Sequence, residues 1–549
     1  MSAAIYFHPE AYNTSGPKLM GRNAAGESFL KGFIKYSITK KFWAQVEKQE
    51  HGQSFFTTVR KYGRKEPVDL YGRDNQEKSE EPGVIFYPGP GLLDYAWQRT
   101  SFGHSNWSVC GITHTTSSKS SMDSIVGMLT APLQPWDCLI CTSSAVKSHV
   151  MSLLEHQAEY LMDRFNAKKI TLPQIPIIPL GIHTSEFNFS ETQKQEARNK
   201  INVKPRDVVI LYFGRLSFHA KAHPLAMYQA LEGAVKKTGR SIVLIECGWH
   251  HNQYIQQAFD KAGQVACPSV RRVFLDGRLE ENRNIAWASA DIFCSLSDNV
   301  QETFGITPVE AMAAGIPVVV SDWNGYKDTI ENGVEGFRVP TIMPKQGMGE
   351  DLVLRYELGL DTYDAYCGNC CSLVSVDVEA TTNAFIKLTE SEELRKKMGM
   401  QGLVKAKRKY DWKTIIHQYE ELWAELNAIR KSESPIVQGK NIWPARLDPF
   451  KGFASYPSKT LNLDDTVSLV DIDAKVARDR ISRYIQLEMV KFATIIVPSQ
   501  EELEDILENL SFCSKSVSEL IENHPIHRKP IIYRSVVWLV KLNVIRIIR

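Results

Sequence analysis

Long apolar runs are absent from this sequence of 549 residues. No run reaches the roughly 18 consecutive apolar residues that a membrane-spanning helix needs, so a transmembrane protein is not expected. The first 16 residues, MSAAIYFHPEAYNTSG, lack a basic segment followed by an apolar one, and a secretory signal peptide is therefore not expected. An excess of one charge is lacking too, because 65 Lys and Arg oppose 63 Asp and Glu, a net charge of +2. This balance argues against nucleic acid as a partner.

Cysteine is sparse, with ten residues scattered along the chain. Several of them, including Cys110 and Cys294, lie in strand-like runs, which is typical of reduced, buried thiols in a cytoplasmic protein. Cys367, Cys370 and Cys371 lie close together and raise the alternative of a zinc site. No second pair follows at a suitable spacing, so reduced thiols are favoured and no metal is expected.

Strand-like runs alternate with helical stretches along most of the chain. The predicted strands are 3–7, 84–87, 108–113 and 138–142 in the first part, and 208–213, 242–246, 272–276, 291–295 and 316–320 in the second. This alternation indicates parallel sheets with crossover helices, hence an α/β protein with two Rossmann-like, doubly wound halves that face a cleft. The charged stretch 66–82 is predicted to be a surface connection.

The most informative stretch is 301–330, QETFGITPVEAMAAGIPVVVSDWNGYKDTI. Two carboxylates, Glu302 and Glu310, are separated by seven residues that read as a loop turning into a helix, with Gly305 in the turn. A buried parallel strand is predicted to follow the helix. Ligands bind such units beyond the strand ends and at helix N-termini, where carboxylates suit the paired hydroxyls of a ribose or a hexose.

Cations are found upstream, in the segment FGRLSFHAKAHP. Arg215 and Lys221 follow the apolar run 208–213 directly, at the end of a predicted strand. Because a phosphate group needs cations and a sugar needs hydrogen-bond acceptors, the two segments together indicate a site for a phosphorylated sugar compound.

The motifs FGRL…K and E-T-F-G-x4-E-A-M-A-A-G-x-P-V-V resemble glycosyltransferase family 4, the glycosyl transferases group 1. These are retaining sugar-nucleotide transferases of the GT-B fold. The resemblance covers about residues 1–430 and is strongest over 205–340. It implies an acceptor domain at 1–182, a sugar-nucleotide donor domain at 183–431, and a late helix that crosses back onto the first domain. It also implies that no metal or other cofactor is needed.

The same resemblance implies roles for individual residues. Arg215 and Lys221 match the family's phosphate-binding pair, Glu310 matches the acid that holds the ribose, and Glu302 matches the acid near the donor sugar. The amides around Phe304, Gly305 and Ile306 would contact sugar or phosphate. His114, after a predicted strand, is expected near the donor sugar and the acceptor, although a structural histidine is the alternative. Gly26 is the nearest match to the family's glycine turn before the first helix, where the usual double glycine is Ala25-Gly26.

Two segments depart from the family. Residues 341–372 are expected to be an insertion, either a lid or an acceptor contact. Residues 432–549 are expected to be a C-terminal extension, a linker followed by a mainly helical and winged-helix-like module. Its terminal stretch, IIYRSVVWLVKLNVIRIIR, is predicted to pack in the core of that module. The alternative is an interfacial helix in peripheral contact with the inner face of the membrane.

The predicted function is therefore transfer of a sugar from a nucleotide-diphosphate sugar to a saccharide or lipid-linked acceptor in polysaccharide biosynthesis. One alternative is another enzyme of this fold, such as a sugar-nucleotide epimerase. Another is a non-catalytic scaffold that senses a sugar nucleotide, although the presence of Arg215, Lys221, Glu302 and Glu310 argues against it.

Overall fold

A computed structural model describes residues 3–12, 21–433, 442–492 and 495–548. The chain divides into two compact units, Met1–Trp443 and Pro444–Arg549. No helix within the described ranges is long and apolar enough to cross a membrane.

The first unit begins with a six-stranded parallel sheet in the order β3-β2-β1-β4-β5-β6. Its elements are β1 Ala4–Phe7, α1 Gly21–Tyr36, β2 Phe42–Val46, α2 Gln49–Lys61, β3 Val68–Tyr71, β4 Val84–Phe86, α3 Leu93–Thr100, β5 Ser108–Ile112, α4 Lys119–Val126, β6 Cys138–Ile140 and α5 Ser144–Phe165. The prediction that 66–82 is only a surface connection is wrong, because β3 lies within it and pairs with β2. Neither strand had been predicted. Strand β3 has only four residues, is interrupted by Asp69 and is half-buried at the edge of the sheet, and the apolar run of β2 is interrupted by Gln45.

A second six-stranded parallel sheet follows, in the order β12-β11-β10-β7-β8-β9. Its elements are α6 Glu191–Lys200, β7 Val208–Phe213, α7 Leu225–Thr238, β8 Ile242–Gly248, α8 Gln253–Ala266, β9 Arg271–Asp276, α9 Glu280–Ser289, β10 Ile292–Ser295, α10 Ile306–Ala313, β11 Val318–Ser321, α11 Tyr326–Thr329 and β12 Gly336–Val339. The central strands are buried on both faces, which explains their unbroken apolar sequences.

The remaining elements of this unit are β13 Thr341–Ile342, α12 Glu350–Glu357, α13 Tyr363–Cys371, β14 Ser375–Val376, α14 Val378–Glu390, α15 Glu392–Lys405 and α16 Trp412–Ser432. Helix α16 returns to the first sheet, as expected. Trp412 and Tyr419 of α16 are fully buried, and their rings lie 5.8 and 5.3 Å from that of Phe29 on α1. The last helix of the second half therefore completes the core of the first.

The second unit contains a three-stranded sheet in the order β16-β15-β17. Its elements are α17 Pro449–Gly452, β15 Thr466–Leu469, α18 Ala474–Tyr484, α19 Glu488–Lys491, α20 Gln500–Phe512, β16 Lys515–Ser516, α21 Val517–Glu522, α22 Lys529–Lys541 and β17 Ile545–Ile547. Helix α22 buries Ile532, Val536 and Leu539 completely. The apolar side of the terminal stretch therefore forms the core of this unit, as predicted, and the alternative of a peripheral membrane contact stays a prediction. The domain boundaries at 182 and 431 stay predictions.

Candidate functional site

Loops from both sheets meet at the carboxyl ends of their strands. The second sheet contributes the loop 214–224 after β7 and the loop 296–305 after β10. The first sheet contributes the loop 113–118 after β5 and the start of α5. Ser143 of the first half donates a hydrogen bond to the carbonyl of Thr303, with Oγ 2.7 Å from O, so the loops are in direct contact. This is the position at which doubly wound sheets bind ligands.

Lys221 and Glu302 form an ion pair between the two loops of the second sheet. The Nζ of Lys221 lies 2.7 Å from Oε2 of Glu302, whose side chain is 8% exposed. The amide of Thr303 also donates to Oε1, at 3.2 Å. Burial acts to raise the pKa of Glu302, but the Lys221 ammonium and the amides of Thr303 and Phe304 outweigh it, so this pKa lies below its ordinary value. The site thus holds an ionised carboxylate and a half-buried ammonium side by side.

Gly305 begins α10 in the left-handed conformation, with φ of 86°. A Cβ atom there would lie 2.0 Å from the ring of Tyr326, so the position demands glycine for both conformation and space. The Tyr326 hydroxyl is in turn hydrogen-bonded to Ser295 at 2.8 Å. Phe304 is buried and Ile306 is the first residue of α10, so the amides of the first turn have no partner within the helix.

Glu310 lies one turn further along α10, half-buried. Among the described residues, no donor hydrogen-bonds its carboxylate. Burial raises the pKa of Glu310 to about 7. The charge of Glu186 adds a smaller contribution in the same direction, and the charge of Arg283 opposes both. A carboxylate in this state has free acceptor capacity for the hydroxyls of a ligand.

We expect Glu310→Gln to stabilise the ligand-free protein at pH 8 and to have little effect at pH 4.5. Because the pKa of Glu310 is raised in the folded state, its contribution to stability is present below the ordinary value of 4.5 and is lost as the pH rises through about 7. The gain in unfolding free energy at pH 8 should be on the order of 2 kcal/mol. Chemical denaturation at the two pH values measures it. Glu186→Gln removes a charge that raises the pKa of Glu310, so it should shift the pH dependence of stability to lower pH. If Glu310→Gln changed the unfolding free energy equally at both pH values, the raised pKa would not belong to Glu310.

Arg215 lies at the start of the loop after β7, and its guanidinium is half-buried. One of its terminal nitrogens donates to the carbonyl of Ala220 at 2.9 Å, and its own carbonyl accepts from the Tyr212 hydroxyl. Gly248 is packed so closely against this loop that a Cβ there would lie 1.9 Å from the carbonyl oxygen of Gly214. This packing fixes the loop that carries both predicted cations, and of the two it is Lys221 that pairs with Glu302.

His114 follows β5 and faces the second half. Its carbonyl accepts a hydrogen bond from the Thr303 hydroxyl at 3.3 Å, one residue from Glu302. It also lines a small cavity that includes Gly26, Tyr12 and Trp412. The structure therefore brings His114 into the same loop cluster as Glu302.

Gly26 had been predicted to lie in a turn before a helix, and this prediction is wrong. It is the sixth residue of α1, which begins at Gly21, so its amide is inside the helix rather than among the free amides of the first turn. A Cβ at Gly26 would lie 2.1 Å from the carbonyl oxygen of Ala11. Close packing of α1 against the chain after β1 explains this glycine.

Sequence reasoning missed a polar and aromatic group at the carboxyl edge of the first sheet. Tyr6 donates to Oε1 of Glu47 at 2.8 Å, and Arg73 is ion-paired with the same carboxylate. The ring of Tyr95 lies 5.6 Å from that of Tyr6. These residues end or follow β1, β2 and β3 or begin α3, and no local motif marks them. No group of three potential metal ligands occurs in the part of the chain that the structure describes.

Residues 193–346 match the family model of glycosyl transferases group 1. An uncharacterized glycosyltransferase of Methanocaldococcus jannaschii is 30% identical over 168 residues, 30% of this chain and 41% of that protein. A phosphatidyl-myo-inositol mannosyltransferase of Mycobacterium leprae is 29% identical over 134 residues, 24% of this chain and 26% of that protein. The chain thus spans less than half the length of these relatives.

The Anabaena protein HepE, whose crystal structure holds UDP and glucose, superposes with a TM-score of 0.50 at 15% identity, over 77% of this chain and all of that one. This likeness concerns the fold. Residues 193–346 therefore carry the predicted group 1 glycosyltransferase domain, and the GT-B fold is confirmed over the part that superposes. The described residues of 444–549 are mainly helical, as predicted.

Proposed function

We propose that this chain, which carries a glycosyl transferases group 1 domain on a GT-B fold, is a retaining glycosyltransferase. Its donor would be a nucleotide-diphosphate sugar, and its acceptor a saccharide or a lipid-linked acceptor in polysaccharide biosynthesis. The observation that carries the proposal is the Lys221–Glu302 pair, which joins the loops after β7 and β10 where they meet His114 of the first half. The ten free thiols support a cytoplasmic enzyme.

The leaving diphosphate gains negative charge as the glycosidic bond breaks. Arg215 and Lys221 are the cations that would stabilise it, which is why the proposal requires no metal ion. Glu302 holds Lys221 in place and would accept hydrogen bonds from donor-sugar hydroxyls. The unsatisfied carboxylate of Glu310 would accept the two ribose hydroxyls, and the amides around Phe304, Gly305 and Ile306 would contact phosphate or sugar.

The acceptor would occupy the side of the cleft formed by the first sheet. The half-buried rings of Tyr6 and Tyr95 lie there, and the neighbouring Glu47 and Arg73 offer an acceptor and donors for sugar hydroxyls. His114 would lie between this group and the donor. The face from which the acceptor approaches the sugar decides whether the anomeric configuration is inverted or retained. Approach from the face that the diphosphate leaves gives retention, which is the outcome that family 4 implies.

Thermal unfolding with a panel of UDP-, GDP-, ADP- and dTDP-sugars tests the donor class. A donor at 100 times its dissociation constant should add about 2.7 kcal/mol to stability, and Arg215→Ala should abolish the shift. Arg240→Ala, an exposed arginine at the far end of α7, is the matched control and should leave the shift intact. The absence of a shift with every donor, in folded protein, would overturn the proposal. A shift without transfer of the sugar to any acceptor would favour an epimerase or the scaffold that senses a sugar nucleotide.

A further inference from the structure

The inserted segment 341–372 forms a helical hairpin of α12 and α13. The two helices are fixed to each other by the stacked rings of Tyr356 and Tyr366, with centroids 4.5 Å apart. A bidentate ion pair between Arg355 and Asp361 closes the turn, with nitrogen–oxygen distances of 2.8 and 2.9 Å. The Thr362 side chain caps α13. The hairpin is therefore a preformed unit rather than an irregular loop.

One side of this hairpin contacts the loop that follows β5. The Tyr363 hydroxyl lies 2.7 Å from Oγ of Ser117 and 3.4 Å from Oγ1 of Thr115. The Tyr356 hydroxyl accepts the amide of Lys119 at 3.2 Å, and Lys119 Nζ donates to the carbonyl of Glu357 at 2.8 Å. Thr115 and Ser117 belong to the loop that carries His114, so α13, which contributes Tyr363, restrains that loop.

The other side of α13 rests on the loop that carries Lys221. The Cys371 thiol donates to Oδ1 of Asp298 at 3.0 Å, and the same oxygen accepts the amide of His223 at 3.2 Å. Gly368 lies against His219, where an added Cβ would be 3.0 Å from the Cβ of the histidine. The buried Asp298–Cys371 contact and the Gly368–His219 contact thus tie α13 to residues 219–223 of the loop that carries Lys221.

We propose that α13 is a positioning element that fixes the separation between the His114 loop and the Lys221 loop, with Tyr363 and Cys371 as its two positioning residues. This inference rests on the proposed transferase function. In that reaction the two loops hold the acceptor side and the donor phosphates, and their separation sets the distance between the reacting atoms. Errors of about 1 Å in such a distance can cost 100-fold in rate. The two residues should therefore act on different kinetic constants.

Tyr363→Phe removes only the hydroxyl that reaches Ser117. It should lower kcat about tenfold and change the donor dissociation constant less than twofold, because the donor loop keeps its own contacts. Cys371→Ala should instead weaken donor binding about tenfold, since the support of Asp298 is lost, and Cys371→Ser, which restores a donor to Asp298, should recover most of it. Tyr366→Phe is the matched control on the same helix and should match the wild type. Calorimetric donor binding and steady-state release of diphosphate measure these constants.

Hydrogen exchange gives a readout that does not depend on catalysis. Tyr363→Phe should accelerate amide exchange over 113–119, and Cys371→Ala should do so over 217–223. If wild-type protein turns over donor but Tyr363→Phe behaves like Tyr366→Phe in both rate and exchange, the positioning role is wrong while the transferase function stands. If no donor is bound or turned over by wild type, the proposed function fails, and the exchange data alone decide whether α13 restrains the two loops.

Discussion

Glu302→Gln is expected to lower kcat with the preferred donor by roughly 100- to 1,000-fold, the magnitude typical of a preorganised charged group at a reacting centre. The amide keeps the shape of the carboxylate and can still accept a hydrogen bond from Lys221. The substitution removes the negative charge that holds the Lys221 ammonium 2.7 Å from the carboxylate. Lys221 would then lose its fixed position beside the leaving diphosphate, and the donor sugar would lose an ionised acceptor. Release of nucleoside diphosphate under saturating donor and acceptor measures the change.

The second half contains a matched ion pair outside the site. Glu335 is ion-paired to Lys405 at 3.0 Å, and their side chains are only 4% and 13% exposed. Glu335→Gln makes the same chemical change in a similarly buried pair, so any cost in stability should resemble that of Glu302→Gln. Its kcat should stay near the wild-type value. Equal losses of activity in the two variants would show that Glu302 acts through folding alone.

Trp412→Ala is expected to destabilise the first unit by about 3–5 kcal/mol, the usual cost of deleting a large buried aromatic side chain. Trp412 is completely buried where α16 meets α1. A Cβ at Gly32 or at Gly181 would lie 2.6 or 2.5 Å from its indole, so both glycines leave room for the ring. The cavity left by alanine could not be refilled by either glycine. Loss of this contact should also loosen the attachment of the second half to the first sheet.

Ser28→Ala separates the hydrogen bond from the packing. The indole Nε1 donates to Oγ of Ser28 at 2.7 Å, and loss of this one bond should cost about 1 kcal/mol. Urea unfolding that follows the transition of Met1–Trp443 compares the two variants. If Trp412→Ala lowers the unfolding free energy by no more than Ser28→Ala does, the indole ring does not contribute the packing energy that its burial indicates.

Several features of the site were predictable because they depend on local sequence. The two carboxylates and the glycine turn lie in one short motif at 301–330, and the two cations lie in another directly after β7. The residue types of these motifs suit the binding of phosphate and sugar. Five of the six strands of the second sheet were placed within two residues at either end, because buried parallel strands have uninterrupted apolar sequences, and only β12 was not predicted. Strand β3 was not placed, since an edge strand with polar residues has no such pattern.

The sequence by itself determined the family resemblance, the parallel α/β organisation and the chemistry of Arg215, Lys221, Glu302 and Glu310. Only the tertiary structure decided that Lys221 pairs with Glu302, that Gly26 lies inside α1, and that the inserted hairpin joins the loops of both halves. Local motifs specify backbone conformation and residue type over a few turns. Contacts such as Tyr363 with Ser117 join residues that are distant in sequence, and they exist only because the fold brings loops of the two sheets together.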